Sequence, residues 1–479
     1  MNKFEQQGHF DLHTTYNRSD LTSRIVHIGF GAFHRGHQAV YNDVTNQESS
    51  DLWGICEVSM FSSIEPLKIQ DCCFSVVEQS AEKTSTRLIR TVSEALDGRH
   101  DGIQAIIKKI AEPQVAIVSL TVTEKGYCID PQTRQLDIKN EHVIHDLESE
   151  GLPKTVIGLL VQALKQRMLN GQSGLSIMSC DNIPENGILT RNAVIGFAQQ
   201  KDAMLADWIV KKVSFPSTMV DRIVPAMQVE EYALIEKLTN VKDQVGVVCE
   251  DFSQWVIEDK FIAGRPNWAL AGALFVDDVV PYEEMKLRML NGSHSFLAYN
   301  GSLAGYEFIY QCMQDNSLKQ VTKNLMEEQS HSLKKGLNVD INEYINLLLQ
   351  RFSNPKIKHK TAQIAMDGSQ KLPQRALDPF LTLQTTGCHS IYIPIMVAGW
   401  AHYIINSINN HVDVKDPLAS QFIEIVETAS SPQQALQQLL NIERIFGKPN
   451  QALFNLVNKA FEEISDKGIC AFIEKLNKE

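Results

Sequence analysis

Apolar and polar positions divide this chain into two textures. Up to about residue 275, short apolar, β-branched runs alternate with stretches of helical period. Residues 24–28, 52–58, 74–77, 86–91, 115–122, 174–179, 245–250 and 255–258 read as strands. Residues 102–110, 154–169, 189–199 and 203–213 read as helices. The run 115–122 is almost wholly apolar, the pattern of a parallel strand buried on both faces. Alternation of this kind predicts an α/β domain around a parallel sheet. From residue 276 strand signals nearly vanish. Helical stretches at 282–301, 317–329, 341–352, 394–405, 431–446 and 454–464 then predict a mainly α-helical second domain. The expected division is 1–275 and 276–479. Within the second domain only 359–375 reads as a long loop. No repeat or low-complexity linker intervenes, and a pocket where two such domains meet is the expected place for a small substrate.

Composition narrows the function. A chain of 479 residues exceeds one ordinary core. Its 43% hydrophobic and 21% charged residues describe a soluble globular protein. A net charge of −12 argues against a nucleic-acid binder, which needs clustered Lys and Arg, but leaves room for a small anion in a local basic pocket. No apolar run reaches the roughly 18 residues of a membrane helix, and no leader-like apolar segment opens the chain. Nine cysteines without a C-x-x-C pair favour a reducing cytoplasm over disulfides or structural zinc.

The first chemical motif is Gly29-x-Gly31, between the strand 24–28 and a helix opening near Arg35. Two glycines there permit a tight turn and a close approach to a pyrophosphate, as in a Rossmann-type domain. His34 stands where the fingerprint places its third glycine, and Gly36 comes two positions late. Glu57 lies on the second strand, about 20 residues past the first glycines, where an acid binds the ribose hydroxyls. It could equally be an ordinary strand residue. The clusters 121–127 and 180–187 fall at carboxyl ends of strands, where open α/β sheets bind ligands. Asn182 is in the second of these, although asparagine there also serves as a turn former or cap.

The second motif lies in residues 281–306, where Lys286, Asn291 and His294 share a helical arc with Leu287 and Leu290. A lone lysine on a helix is ordinarily a solvated charge. Lysine, asparagine and histidine together on an apolar arc point instead to a site, because desolvation lowers a lysine's proton affinity toward that of a useful base. With a nicotinamide dinucleotide on the glycine turn, such a set suits hydride transfer: Lys286 moves the proton, and Asn291 and Asn182 donate to the developing oxyanion. His294 can bond the same or an adjacent hydroxyl. No zinc-ligand spacing is present, and His34 with His37 lacks a nearby acidic or cysteine partner, so no metal is expected.

The runs IVHIGFGAFHRGHQ, SLTVTEKGY, MSCDNIPENG, FPSTMVDRIVP, VIEDKFIAGRPNW and KLRMLNGSHSFLAY occur in that order. Together they resemble the polyol-specific long-chain dehydrogenases, and the likeness runs from about residue 24 to the final helices. Lys286, Asn291 and His294 match the family's Lys-x-x-x-x-Asn-x-x-His motif. The resemblance implies NAD as cofactor, no metal, Lys286 as general acid/base, Asn182 and Asn291 as oxyanion donors, and His294 as a substrate ligand. It also implies that the turn Gly29-Phe30-Gly31-Ala32-Phe33-His34 is the family's own dinucleotide loop. Within the family, EKGYC, FPSTMVDRIVP and QIAMDGSQKLPQR look most similar to the fructuronate-reducing branch. That implies conversion of D-fructuronate and NADH to D-mannonate and NAD. A uronate carboxylate calls for a cation. Lys371 and Arg375 are the candidates, with Lys360 and Arg222 behind them and Asp221 beside Arg222. Gln363 stands where some polyol-oxidising relatives carry arginine. Oxidation of mannitol, arabinitol or another sugar acid stays open, and more remotely a nucleotide-binding protein without chemistry. A monomer acting on a small sugar acid or polyol in the cytoplasm, with no nucleic acid or membrane partner, completes the expectation.

Overall fold

The computed structural model describes residues 4, 7–12, 15–149, 151–334 and 336–478. The chain forms two compact units, Met1–Val280 and Pro281–Glu479, so the division falls slightly beyond the expected residue 275. The strands of the first unit are β1 (Thr22–Ile28), β2 (Trp53–Ser59), β3 (Phe74–Gln79), β4 (Thr84–Ile89), β5 (Val92–Asp97), β6 (Ile117–Leu120), β7 (Ser176–Ser179), β8 (Thr218–Asp221), β9 (Val247–Glu250), β10 (Gln254–Glu258) and β11 (Leu274–Val276).

Five of them form a parallel sheet in the order β5-β2-β1-β6-β7. β2 lies on one side of β1 and β6 on the other, so strand order reverses there. Such a switch point opens a crevice at the carboxyl ends of the strands. β2, β6 and β7 are buried along their whole length, as a sheet covered on both faces requires. One face packs on helices Ile103–Ile110, Val156–Leu169 and Asn186–Lys201. The other, which presents Ile25, Trp53 and Ile55, packs on Tyr41 of helix Gln38–Glu48 together with Trp255 and Trp268. Across the middle of this apolar sheet runs a polar row, Glu57 opposite His27 and His27 opposite Ser119. Two three-stranded sheets, β11-β10-β8 and β4-β3-β9, complete the unit.

The second unit is helical in all its named elements. At its centre lies the 18-residue helix Tyr392–Asn409, apolar around most of its circumference, as a helix at the middle of a core must be. Its N-terminus is closed by Glu328, whose carboxylate accepts from the Ile391, Tyr392 and Ile393 amides and the Ser390 hydroxyl. A carboxylate there answers both the free amides and the helix dipole. Among the described residues no helix is long and apolar enough to cross a membrane.

Three departures from the sequence-based expectation bear on the site. The segment expected as one helix over 282–301 is Val280–Met285, a π-helical turn Lys286–Asn291, then Gly292–Leu303. The expected loop 359–375 contains the short helices Thr361–Ile364 and Gly368–Leu372 and runs into a further π-helical turn, Pro373–Leu377. The run 86–91 is the end of β4, after which β5 returns as an unforeseen strand of the main sheet.

Candidate active site

At the switch point the backbone leaves β1 through Gly29, which adopts φ +113°. A Cβ on Gly29 would stand 2.0 Å from the Thr121 carbonyl oxygen, so both conformation and space demand glycine. The Gly29 amide donates to the Val58 carbonyl at 2.9 Å, and the Gly31 amide to the Gly29 carbonyl at 2.6 Å. Gly31 is exposed, and a Cβ there would have no neighbour nearer than 3.9 Å, leaving room for a ligand against the backbone. Gly31 caps the short helix Ala32–Gly36. The close packing expected of a third glycine falls to Gly36, where a Cβ would lie 3.1 Å from the Val224 side chain. Ala32 and Phe33 stay partly exposed beside the turn. This cradle fits the pyrophosphate of a dinucleotide.

Two of the residues assigned to the cofactor are turned the other way. His34 and Glu57 have no solvent exposure, and His34 Nε2 lies 2.5 Å from Glu57 Oε1. Burial pushes the Glu57 carboxyl up to about 7 against the pull of His27 and Arg35, and pushes the His34 imidazole down to about 3. Both shifts favour a protonated carboxyl donating to a neutral imidazole. The ribose role expected of Glu57 is therefore corrected: its carboxylate is sealed beneath the turn. His34 can contribute only backbone to a ligand. His27 stacks on His34 with ring centroids 3.4 Å apart and planes 13° from parallel. The donor atoms of His27, His34 and Glu57 all lie within 4.8 Å of one another. Stacked rings direct their in-plane lone pairs along parallel planes, so these donors do not converge on one point.

At the ends of β6 and β7, Asp181 accepts from the Val122 amide at 2.9 Å, the Thr123 amide at 3.1 Å and the Tyr127 hydroxyl at 2.6 Å. Burial raises its carboxyl, opposed by these bonds. Asp181 thus ties the two strand ends together, and Asn182, next in the chain, is exposed at the rim.

Arg222 is corrected as well. Its guanidinium is buried and fully engaged, with Nη1 donating to the Gly36 carbonyl, Nε and Nη2 to the Glu250 carbonyl, and Nη2 to Glu78 Oε1 at 2.7 Å. It clamps the inner frame of the first unit and is not available to a substrate. Asp221 precedes it as the last residue of β8 and is buried.

In the second unit, Lys286, Asn291 and His294 are buried to 6%, 8% and 7% exposure. The π-helical turn closes its bonds at i→i+5, bringing Lys286 and Asn291, five apart, closer to one face than an α-helix does. π-turns of this kind recur at functional sites. His294 lies against Phe352, with centroids 4.2 Å apart, and meets the edge of His359 at 5.3 Å. Burial holds its imidazole well below the usual range, helped by the positive field of His359, Arg351, Arg375 and Lys371.

Lys371 and Arg375 stand in that field. Both are half-buried. Lys371 Nζ donates to the carbonyls of Ile364 at 3.1 Å and Met366 at 2.5 Å, and burial with Arg375 nearby lowers it to about 8. Arg375 Nη1 reaches the Asn291 carbonyl and the Ser295 hydroxyl, and burial lowers the guanidinium to about 10. Among the described residues neither forms an ion pair with a carboxylate. Lys360, in contrast, makes an exposed pair with Glu307 at 3.1 Å. Arg351, buried at the end of helix Ile341–Phe352, and His359 were not singled out in the sequence. Both fall where apolar periodicity is broken, a signal too common to choose them.

Comparison with known proteins follows the same division. Residues 23–270 match the mannitol dehydrogenase Rossmann domain, and 278–465 the mannitol dehydrogenase C-terminal domain. The uncharacterized oxidoreductase YeiQ of Escherichia coli is 46% identical over 95% of this chain and 94% of its own. The D-mannonate oxidoreductase of the same organism is 45% identical over 95% of this chain and 96% of its own. The Pseudomonas fluorescens mannitol 2-dehydrogenase, solved as a ternary complex with NAD and D-mannitol, superposes with a TM-score of 0.81. It is 36% identical and covers 97% of this chain and 96% of that one. With both of its units matched in order, the chain belongs to the mannitol dehydrogenase family.

Proposed function

We propose that this protein is an NAD-dependent reductase of a keto-uronate, converting D-fructuronate and NADH to D-mannonate and NAD. Membership of a family of polyol and sugar-acid dehydrogenases supports the reaction type. The glycine turn, with open space at Gly31, supports the cofactor. The observation that carries the substrate is the pair of half-buried cations beside His294. Lys371 and Arg375 donate only to neutral oxygens, with Asp367 and Asp416 acting on Lys371 from longer range, and a half-buried cation without an ion-pair partner is open to a ligand's carboxylate. A carboxylate on the substrate supplies that answer, and an uncharged polyol does not.

The bound nicotinamide supplies the hydride. Lys286, as the ammonium, gives a proton to the ketone oxygen as that oxygen gains charge, so hydride and proton together make the new alcohol. The Asn291 amide donates to the same oxygen. His294, held neutral, orients a neighbouring hydroxyl. Because all three second-unit groups are buried, few water molecules compete for the developing charge.

The likeness to YeiQ is as high as that to the D-mannonate oxidoreductase, so likeness alone does not choose the sugar. NADH oxidation measured at neutral pH against D-fructuronate, D-tagaturonate and D-fructose decides it. The expected order puts D-fructuronate first in kcat/KM; a clear preference for D-fructose overturns the uronate reading.

A further inference from the structure

We propose that His27 is a positioning residue for the dinucleotide: through Thr121 it fixes the peptide plane between Gly29 and Phe30 so that the Phe30 amide faces the ligand. The proposal rests on the reading that the first unit binds NADH.

The hydrogen bonds admit one consistent direction. Thr121 Oγ1 lies 2.8 Å from the Gly29 carbonyl oxygen, which can only accept, so the Thr121 hydroxyl donates to it. Thr121 Oγ1 must then accept from His27 Nε2 at 2.9 Å, and the same N–H reaches the Gly29 carbonyl at 3.1 Å. With its proton on Nε2, neutral His27 accepts at Nδ1 from the Ser119 hydroxyl at 2.8 Å. Burial, with His34 adding to it, keeps the ring neutral by lowering its pKa to about 3. The chain Ser119 to His27 to Thr121 to Gly29 thus has a single polarity. It also uses the polar row across the sheet, which packing of an apolar core does not require.

The chain ends where a ligand would begin. No cis peptide bond is present among the described residues, so the Gly29–Phe30 peptide is trans and its carbonyl and N–H point in opposite directions. The carbonyl is held inward by Thr121, His27 and the Gly31 amide. The Phe30 N–H is therefore turned away from that buried network, at a partly exposed residue of the turn. A backbone amide held outward before binding spares the ligand the cost of ordering the turn. Glycine at position 29 has no intrinsic preference for this peptide orientation, so something else must hold it.

The test is NADH affinity, measured by fluorescence titration and as KM, in Thr121→Val, Thr121→Ser and His27→Ala. Thr121→Val removes the linking hydroxyl at nearly constant volume, and the expected rise in Kd and KM for NADH is about tenfold, the size of one lost hydrogen bond. kcat at saturating NADH and KM for the sugar should move far less. Thr121→Ser, which restores the hydroxyl, should bring the NADH KM back. His27→Ala, which removes both the bond to Thr121 and the direct bond to Gly29, should raise the NADH KM at least as much as Thr121→Val, and the double variant should add little to His27→Ala. Should His27→Ala fail to fold, the two Thr121 variants decide the matter. Unchanged NADH affinity in folded Thr121→Val overturns the proposal, as does a rise that Thr121→Ser does not reverse. Absence of NADH binding in the unaltered protein instead overturns the cofactor reading.

Discussion

Arg375 donates through Nη1 to the carbonyl oxygen of Asn291 at 3.2 Å and to the Ser295 hydroxyl at 3.0 Å. The cation proposed for the substrate is therefore bonded directly to the segment that bears the proposed proton donor, Lys286. Loss of a hydrogen bond to a charged group costs about 1.5–3 kcal/mol. Arg375→Ala should accordingly reduce kcat/KM by about ten- to a hundredfold. Arg375→Lys keeps the charge but not the fork and should recover only part of it. Steady-state kinetics on both variants checks this; full activity in Arg375→Lys would show that charge alone matters.

Lys286→Ala separates binding from chemistry. NADH affinity should stay within a few-fold, while turnover falls by about 10²–10⁴, the usual worth of a general acid/base. Titration and single-turnover assays read the two quantities apart. Unaltered turnover removes Lys286 from the proton step.

Lys371 makes uronate affinity depend on pH. Lowered to about 8 by burial and by Arg375, its ammonium is cationic below that pH and neutral above it. KM for the uronate should rise as pH passes about 8, and Lys371→Ala should show the high KM at every pH. An uncharged polyol tested in parallel should lack the step. A uronate KM that is flat from pH 6 to 9 counts against Lys371 as the carboxylate ligand.

Glu57→Gln tests the corrected role of that acid. With its carboxylate sealed against His34, the ratio of NADH to NADPH efficiency should not move. Stability should fall instead, by about 1–3 kcal/mol for a disturbed buried pair, or a few degrees in thermal midpoint. A swing toward NADPH would restore Glu57 to the ribose.

Stability of the first unit should fall in mild acid. His27, His34 and His37 are all buried, and burial lowers each from 6.5 to about 3. The stability they confer is complete above about pH 6.5 and is lost as pH falls toward 3, because only the unfolded chain takes up their protons readily. Glu57 and Asp43 work the other way, raised by burial to about 7 and about 6, their contributions being lost as pH rises through those values. Three groups oppose two, one of them with the smaller shift, so denaturation followed by tryptophan fluorescence should show a lower midpoint at pH 5 than at pH 7. A higher midpoint at pH 5 would mean that one or more of these imidazoles are charged in the folded state.

Local patterns in the sequence were enough to place the glycine turn, the apolar run that became β6 and the burial of Lys286, Asn291 and His294, because each depends on neighbours a few residues away. β5 escaped because its sequence VSEALD is short, polar at three of its six positions and only half-covered. Glu57 and Arg222 misled for a related reason. The fate of Glu57 depends on β1–β2 register and on His34 arriving from beyond the turn. Arg222 is claimed by Gly36, Glu78 and Glu250, from three distant parts of the chain. Periodicity sees neither event. It also assumed 100° per residue through Lys286, where the helix is wider.

That wide turn sets the local spacing of the site. An i→i+5 turn in a helix equals one surplus residue relative to an α-helix. Deleting a single residue between Lys286 and Asn291 would let the helix relax to regular geometry with the segments on either side in nearly the same phase, because the bulge already absorbs the extra residue. A deletion in the regular helix on either side has no such outlet and would rotate one flank against the other by about 100°. The segment thus holds a slack of one residue, and only at the place where Lys286 and Asn291 stand.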